Sequence, residues 1–202
     1  MSPTRSHITR LLHLALLLVV LHQLLSSMAM EKPLPGEEPA WPYALHERIG
    51  VVGLGVLALF WLWTLVRHLG QPLETPLARL LPWFSTARLA AVFKDIASLV
   101  RARSSFRAPP LELEALASAV HGLGLLVASF LALTGAAWFY FFTGTPYARM
   151  VMGVHKLSAN LMWAYLIGHA LAALAHHALG DDIFSRMFWV KRRSTHATVA
   201  AE

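Results

Sequence analysis

The sequence predicts an all-α fold: an integral membrane four-helix bundle with both termini cytoplasmic and an amphipathic interfacial helix in the long loop between helices two and three. Three observations predict it. Hydrophobic residues make up 56% of the 202 and charged residues only 14%, where a soluble domain carries roughly 25% charged residues. Four apolar stretches reach the roughly 20 residues that a spanning helix needs. In hydrocarbon each must be helical, because its backbone polar groups have to pair within the segment. Finally, Lys and Arg are divided very unequally between the two sets of connections.

The first span runs from about Ile8 to Met30. Arg5 and Arg10 ahead of an apolar run, with Ser26, Ser27 and Ala29 near its end, imitate a secretory leader. The run is longer than a leader's apolar region, so it reads as a retained helix. A Pro-rich, acidic outer loop follows from Glu31 to Tyr43, with Trp41 and Tyr43 at interface depth. The second span covers about His46 to Val66, and a long inner loop then extends from about Arg67 to Glu112. Within it, Ser85 or Thr86 serves as N-cap, and Leu89, Val92, Phe93, Ile96, Leu99 and Val100 recur at helical spacing. Arg88, Lys94, Asp95, Ser98 and Arg101 take most of the other side. This predicts a basic amphipathic helix over about 86–102 in the cytoplasmic interface, either a lipid-surface helix or a docking face for a partner subunit. Pro109-Pro110 ends the segment. The third span covers about Leu113 to Phe142 and the fourth about Met150 to Leu179, so that residues 1–202 make one domain without internal repeats.

Charge fixes the orientation. With the N-terminus inside, thirteen cations fall on the inner side: Arg5, Arg10, Arg67, Arg79, Arg88, Lys94, Arg101, Arg103, Arg107, Arg186, Lys191, Arg192 and Arg193. Four fall outside: Lys32, Arg48, Arg149 and Lys156. That is a positive-inside pattern, so the net charge of +6 reports topology and gives no reason to invoke nucleic acid.

Cysteine is absent, whereas histidine occurs eleven times. The first fact excludes disulfides, thiolate zinc sites, iron–sulfur clusters ligated by this chain and covalent c-type haem. The second is unusual in so apolar a chain, because an ionisable side chain within a span is costly and marks a site. His7, His68 and His196 fall in flanks or tails. His155 and His169 are 14 residues apart in the fourth span. At 100° per residue they share a face, and at about 1.5 Å per residue they are about 21 Å apart along the axis. His46 opens the second span at the outer level of His155, and His13 lies near the inner end of the first, at the level of His169. Two imidazole pairs at two depths suit two b-type haems stacked across a bilayer, each with both axial positions filled. Arg48, Arg149 and Lys156 outside, and Arg5 and Arg10 inside, could meet the propionates. Spacing alone leaves open a proton-relay or transporter site, or purely structural histidines.

The segment Val154-His155 to Gly168-His169, ending in Ala175-His176-His177, resembles the last helix of the bacterial cytochrome b561 family, which is grouped with the membrane cytochrome b subunits of nickel–iron hydrogenases and formate dehydrogenases. Arg10-Leu-Leu-His13, Leu45-His46-Glu-Arg-Ile-Gly50, and Ala119-Val-His121-Gly-Leu-Gly124 with Thr134-Gly135 are similar to the motifs of its other three helices. The first departs from the pattern in carrying Leu14 where Trp often follows the ligand. The resemblance implies a multi-pass protein of the bacterial inner membrane with two non-covalent haem b groups, His13 paired with His169 and His46 with His155. Those four are the expected haem-binding residues and iron ligands. Other histidines are set apart. His22, half a turn round from His13, reads as an interhelical hydrogen-bonder. His121 lies near the inner level and could compete with His13. His176 and His177 with Asp181-Asp182 could border a cytoplasmic quinone or proton pocket. Gly50, Gly53, Gly122, Gly124 and Gly168 are expected to allow close helix or porphyrin approach.

The function expected from this is electron transfer between a redox partner and quinone, as the cytochrome subunit of a dehydrogenase or respiratory chain. An alternative is a stand-alone superoxide:quinone oxidoreductase, with Arg48, Arg149 and Lys156 attracting the anion. A third reading, a haem-free transporter using histidines as proton carriers, lacks the internal repeats usual for that class.

Overall fold

The computed structural model describes residues 5–31, 33, 37–67, 76–104, 113–179 and 183–188, and these are helical apart from the loop between the first two long helices, the other turns and the caps. In order come α1 (His7–Ala29), α2 (Trp41–Val66), a short α3 (Leu77–Leu80), a 3-10 turn Pro82–Phe84, α4 (Thr86–Ser104), α5 (Glu114–Ala137) prolonged by a π turn Trp138–Phe142, α6 (Ala148–Ala178) and a short α7 (Ile183–Met187). Four helices, α1, α2, α5 with its π turn, and α6, are long and apolar enough to cross a membrane.

Local chemistry sets their ends. Ser6 caps α1, its hydroxyl accepting from the backbone N–H of Thr9 at 3.2 Å. α2 begins at Trp41 rather than His46, because Pro42 occupies its first turn, where a missing N–H has no intrahelical partner to lose. Trp41 and Tyr43, expected in the loop, are therefore helical. At the far end of α5 the Thr143 N–H bonds the Trp138 carbonyl at 2.9 Å, the wider i→i+5 closure of a π turn. Gly144, at φ 77°, then reverses the chain into α6.

α1 packs on α2, α2 on α5 and α5 on α6. All four meet in a core of Leu24, Leu57, Leu125, Ala128 and Met162, with Phe60, Trp61, Trp163 and Tyr165 packed round it. Trp63 Nε1 donates to Thr9 Oγ1 across α1 and α2 at 2.8 Å, and Trp61 Nε1 to Ser129 Oγ across α2 and α5 at 2.9 Å. Such interhelical bonds hold bundles together in lipid, where apolar packing alone gives little preference for protein over solvent. The outer surface of the bundle exposes Leu18, Leu59, Leu133 and Leu171, each more than half accessible. A surface like that is tolerated when acyl chains are the solvent.

The segment before α5 is built onto it. A Cβ added at Gly122 would lie 1.7 Å from the Leu80 carbonyl oxygen, so α3 rests directly on the α5 backbone, with Leu80 and Pro82 buried. Ser85, of the two candidate caps, is the one that starts α4: its Oγ accepts from the Arg88 N–H at 3.4 Å. Val92 is buried, while Phe93 and Val100 stay more than 60% exposed. Asp95, assigned by spacing to the polar side, faces α5 and accepts the Leu116 N–H at 3.0 Å, satisfying a donor that the first turn of a helix leaves free. Pro109-Pro110 lies outside the described residues, as does Asp181-Asp182.

Candidate functional site

The histidines fall into two groups near opposite ends of the bundle. At one end, where α1 stops and α2 and α6 begin, a cavity of about 510 Å³ opens between the helices, and His46 and His155 both line it. Its walls are largely apolar, including Leu16, Val20, Leu54, Leu131, Ala159 and Trp163, while Tyr43, Glu47, Lys156 and Asn160 give it a polar fringe.

Both imidazoles are held from behind through Nδ1. For His155 the partners are the Leu131 carbonyl at 3.1 Å and Thr134 Oγ1 at 3.2 Å. Thr134 already donates its hydroxyl proton to the Phe130 and Leu131 carbonyls, each at 2.9 Å, so toward His155 it can only accept. Both bonds therefore assign the proton to Nδ1 and leave the Nε2 lone pair for a metal. For His46 the partner is Ser26 Oγ at 2.9 Å, whose own proton goes to the Gln23 carbonyl at 3.3 Å. With the Ser26 proton on the Gln23 carbonyl, His46 takes the same tautomer. This second layer of bonds is what a metal-ligating histidine requires to fix its ring and raise its basicity. Gln23 also donates to the His46 carbonyl at 2.8 Å, pinning the start of α2 to α1. Gly135 completes the site: a Cβ there would come within 2.9 Å of His155 Cε1.

At the other end His169 has the face of Tyr165 against it, ring centroids 5.4 Å apart and planes 13° from parallel. His121 meets it edge-on at 5.2 Å and 80°. His13 lies near His169 and His121, and Arg5 near His121. Nδ1 of His13 is buried and has no hydrogen-bond partner, while its ring meets Phe188, just after α7, at 5.9 Å. Arg10, expected to be available to an anion, is buried with its Nε donating to the Arg5 carbonyl at 3.1 Å.

The structure thus brings His46 to His155 and His13 to His169, and adds His121 to the second group. Among the described residues no three His, Asp or Glu side chains converge on one point as a direct metal cage would need. A bis-imidazole haem needs only two, and a lipophilic slot with two backed imidazoles fits it. His22 lies within electrostatic reach of His46, but its Nε2 is buried without a hydrogen-bond partner, so the expected interhelical bond is not made through that atom. His177 packs against Phe184 of α7 at 4.9 Å. Of the glycines expected at close approaches, Gly168 has nothing within 4 Å of where its Cβ would be.

Sequence reasoning missed Ser26 and Leu131. Ser26 stands out in the sequence only as part of a leader-like ending, and Leu131 acts through a backbone oxygen that its side chain does not advertise. The spacing of Ser26 and Gln23, three apart at the outer end of the first span, was the available signal.

A family model described as prokaryotic cytochrome b561 matches residues 5–189. No curated protein and no solved structure matches the chain.

Proposed function

The chain belongs to the prokaryotic cytochrome b561 family, multi-pass bacterial membrane proteins that transfer electrons on haem b, and on that premise we propose that it holds two non-covalent b haems and carries electrons across the inner membrane between a redox partner and quinone. Membership of a haem family displaces the haem-free transporter reading. His46 and His155 hold the outer haem and His13 and His169 the inner one. The observation that carries the proposal is the cavity between His46 and His155, with each Nδ1 proton engaged and each Nε2 left free. The cation count supports the His13–His169 end lying at the cytoplasm, with both termini and α4 on that side and Phe93 and Val100 of α4 toward the acyl chains.

When bound, haem b supplies a one-electron couple. The chain's part would be to hold each group between two imidazoles, His46 with His155 and His13 with His169. Leu131, Thr134 and Ser26 keep the Nδ1 protons in place. The central core of Leu57, Leu125 and Met162 keeps water from the space between the two levels. The position of His176 and His177 near the end of α6 supports a quinone site at the cytoplasmic end. Lys156 on the outer cavity wall favours superoxide as a second candidate donor, since a fixed cation raises the local concentration of an anion.

The test is stoichiometric. Acid–acetone should extract all the haem, at a ratio near two per polypeptide. A ratio near one, or haem that stays with the polypeptide, overturns the two-pair assignment. Stopped-flow reduction by superoxide, with and without quinone, separates a subunit of a larger dehydrogenase from a stand-alone oxidoreductase.

A further inference from the structure

We propose that Tyr165 is the positioning residue for the inner-level imidazole of His169, setting the plane of that ring by stacking where the outer level uses hydrogen bonds. The inference rests on the reading of His169 as an iron ligand.

The two levels are built differently. His155 is oriented by the Leu131 carbonyl and Thr134, and His46 by Ser26. Among the described residues His169 makes no such bond. An imidazole without a bond at its remote nitrogen can turn about its Cβ–Cγ axis, unless something blocks its faces. Tyr165 blocks one. It lies four residues earlier on α6 and so on the same face of the helix, and its ring lies 13° from parallel to that of His169 at 5.4 Å, an offset-stacked arrangement.

Tyr165 is itself held. A Cβ at Gly124 would fall 2.1 Å from its Cζ and 2.2 Å from its Oη, so the outer end of the phenol ring occupies the notch that glycine leaves in α5. Three residues before Gly124, His121 presents its ring to His169 at 80°, steadied by its own Nδ1–H donating to the Ala117 carbonyl at 2.6 Å. α5 therefore controls the His169 plane at two points, through His121 directly and through the Gly124 notch by way of Tyr165. The stacking needs the ring face and not the hydroxyl, which makes phenylalanine an adequate substitute and an aliphatic residue inadequate.

The plane of an axial imidazole is read directly by the low-temperature EPR spectrum of the ferric haem, whose largest g value moves as the two ligand planes rotate relative to each other. The experiment compares the holoprotein with Tyr165→Phe, Tyr165→Leu and Gly124→Ala, recording EPR and redox titrations of both haems. Tyr165→Phe should keep both signals in place. Tyr165→Leu should shift or broaden the inner signal beyond its linewidth and leave the outer one unchanged. If Tyr165→Leu instead loses the inner haem, Gly124→Ala decides: it displaces an intact Tyr165 ring, and a shifted inner signal supports the proposal. An inner signal unmoved in Tyr165→Leu, or in Gly124→Ala where Leu loses the haem, overturns it. His169→Ala is run alongside. If that variant retains both haems, the ligand reading has failed, which is a different result from a silent Tyr165.

Discussion

Replacing Gly135 by alanine should weaken the outer haem and spare the inner one. The added Cβ would stand 2.9 Å from His155 Cε1 and 3.3 Å from Nδ1. Two carbon atoms sit comfortably at about 3.5–4.0 Å, so the imidazole must retreat by roughly 0.6 Å or more. Gly135 and Leu131 lie one turn apart on α5, so a retreat from one is also a retreat from the other. The bonds from Nδ1 to the Leu131 carbonyl, 3.1 Å, and to Thr134 Oγ1, 3.2 Å, both to α5 beside Gly135, would each stretch to about 3.7–3.8 Å, beyond useful hydrogen-bond range. Leaving a buried donor unsatisfied costs about 1–3 kcal/mol, and at about 1.4 kcal/mol per factor of ten the outer haem should bind roughly 5- to 150-fold more weakly. Gly135 lies 14 residues, about 21 Å of helix, from His121, so the push does not reach the inner level. Haem transfer to excess apomyoglobin, followed by the redox titration of what remains, measures this. The reasoning fails if the Gly135→Ala protein releases neither haem faster than wild type, or releases the inner one.

Other perturbations test the rest of the architecture. His46→Ala and His155→Ala should each delete the same redox transition, and His13→Ala and His169→Ala the other; should His121→Ala remove the inner haem while His13→Ala does not, the inner pairing is wrong. Stopped-flow reduction of His13→Ala, which keeps its outer haem, should show slowed electron delivery to quinone, and a wild-type rate would take the inner haem off the route. Gly122→Ala drives a side chain into the Leu80 carbonyl, a backbone atom that cannot swing aside, and should cost about 1–3 kcal/mol by overpacking; an unchanged thermal unfolding curve in detergent counts against that contact. Asp95→Ala removes the cap on the Leu116 N–H and should cost about 1 kcal/mol, seen as faster proteolysis between α4 and α5, with Asp95→Asn partly restoring resistance.

The four spans were legible because a membrane helix leaves a signal that needs no partner: a long apolar run that cannot satisfy its backbone any other way. Depth was legible too, since rise per residue turns positions into heights, and His155 and His169 do fall in separate groups with His46 and His13. Azimuth was not. Asp95 sat with the polar residues of α4 by spacing, yet it turns to α5 because an unpaired N–H there attracts it. His121 and His13 could be ranked by depth but not by distance to His169, which depends on how α1 and α5 lean. The start of α2 was misplaced for a local reason, as Trp41-Pro42-Tyr43 reads as loop composition although proline in a first turn favours a helix. Gly168 meets no helix, since nothing lies within 4 Å of where its Cβ would be, and of the two close approaches expected there only the one to a porphyrin is left.

The oxygen that orients His155 belongs to the main chain of residue 131. No side-chain deletion removes it, because every residue type carries the same carbonyl. A scan that truncates side chains one at a time would therefore register Ser26 and Thr134 but miss the hydrogen-bonding part of residue 131. Residue 131 can change identity without losing that oxygen, within the volume that the cavity wall it forms allows.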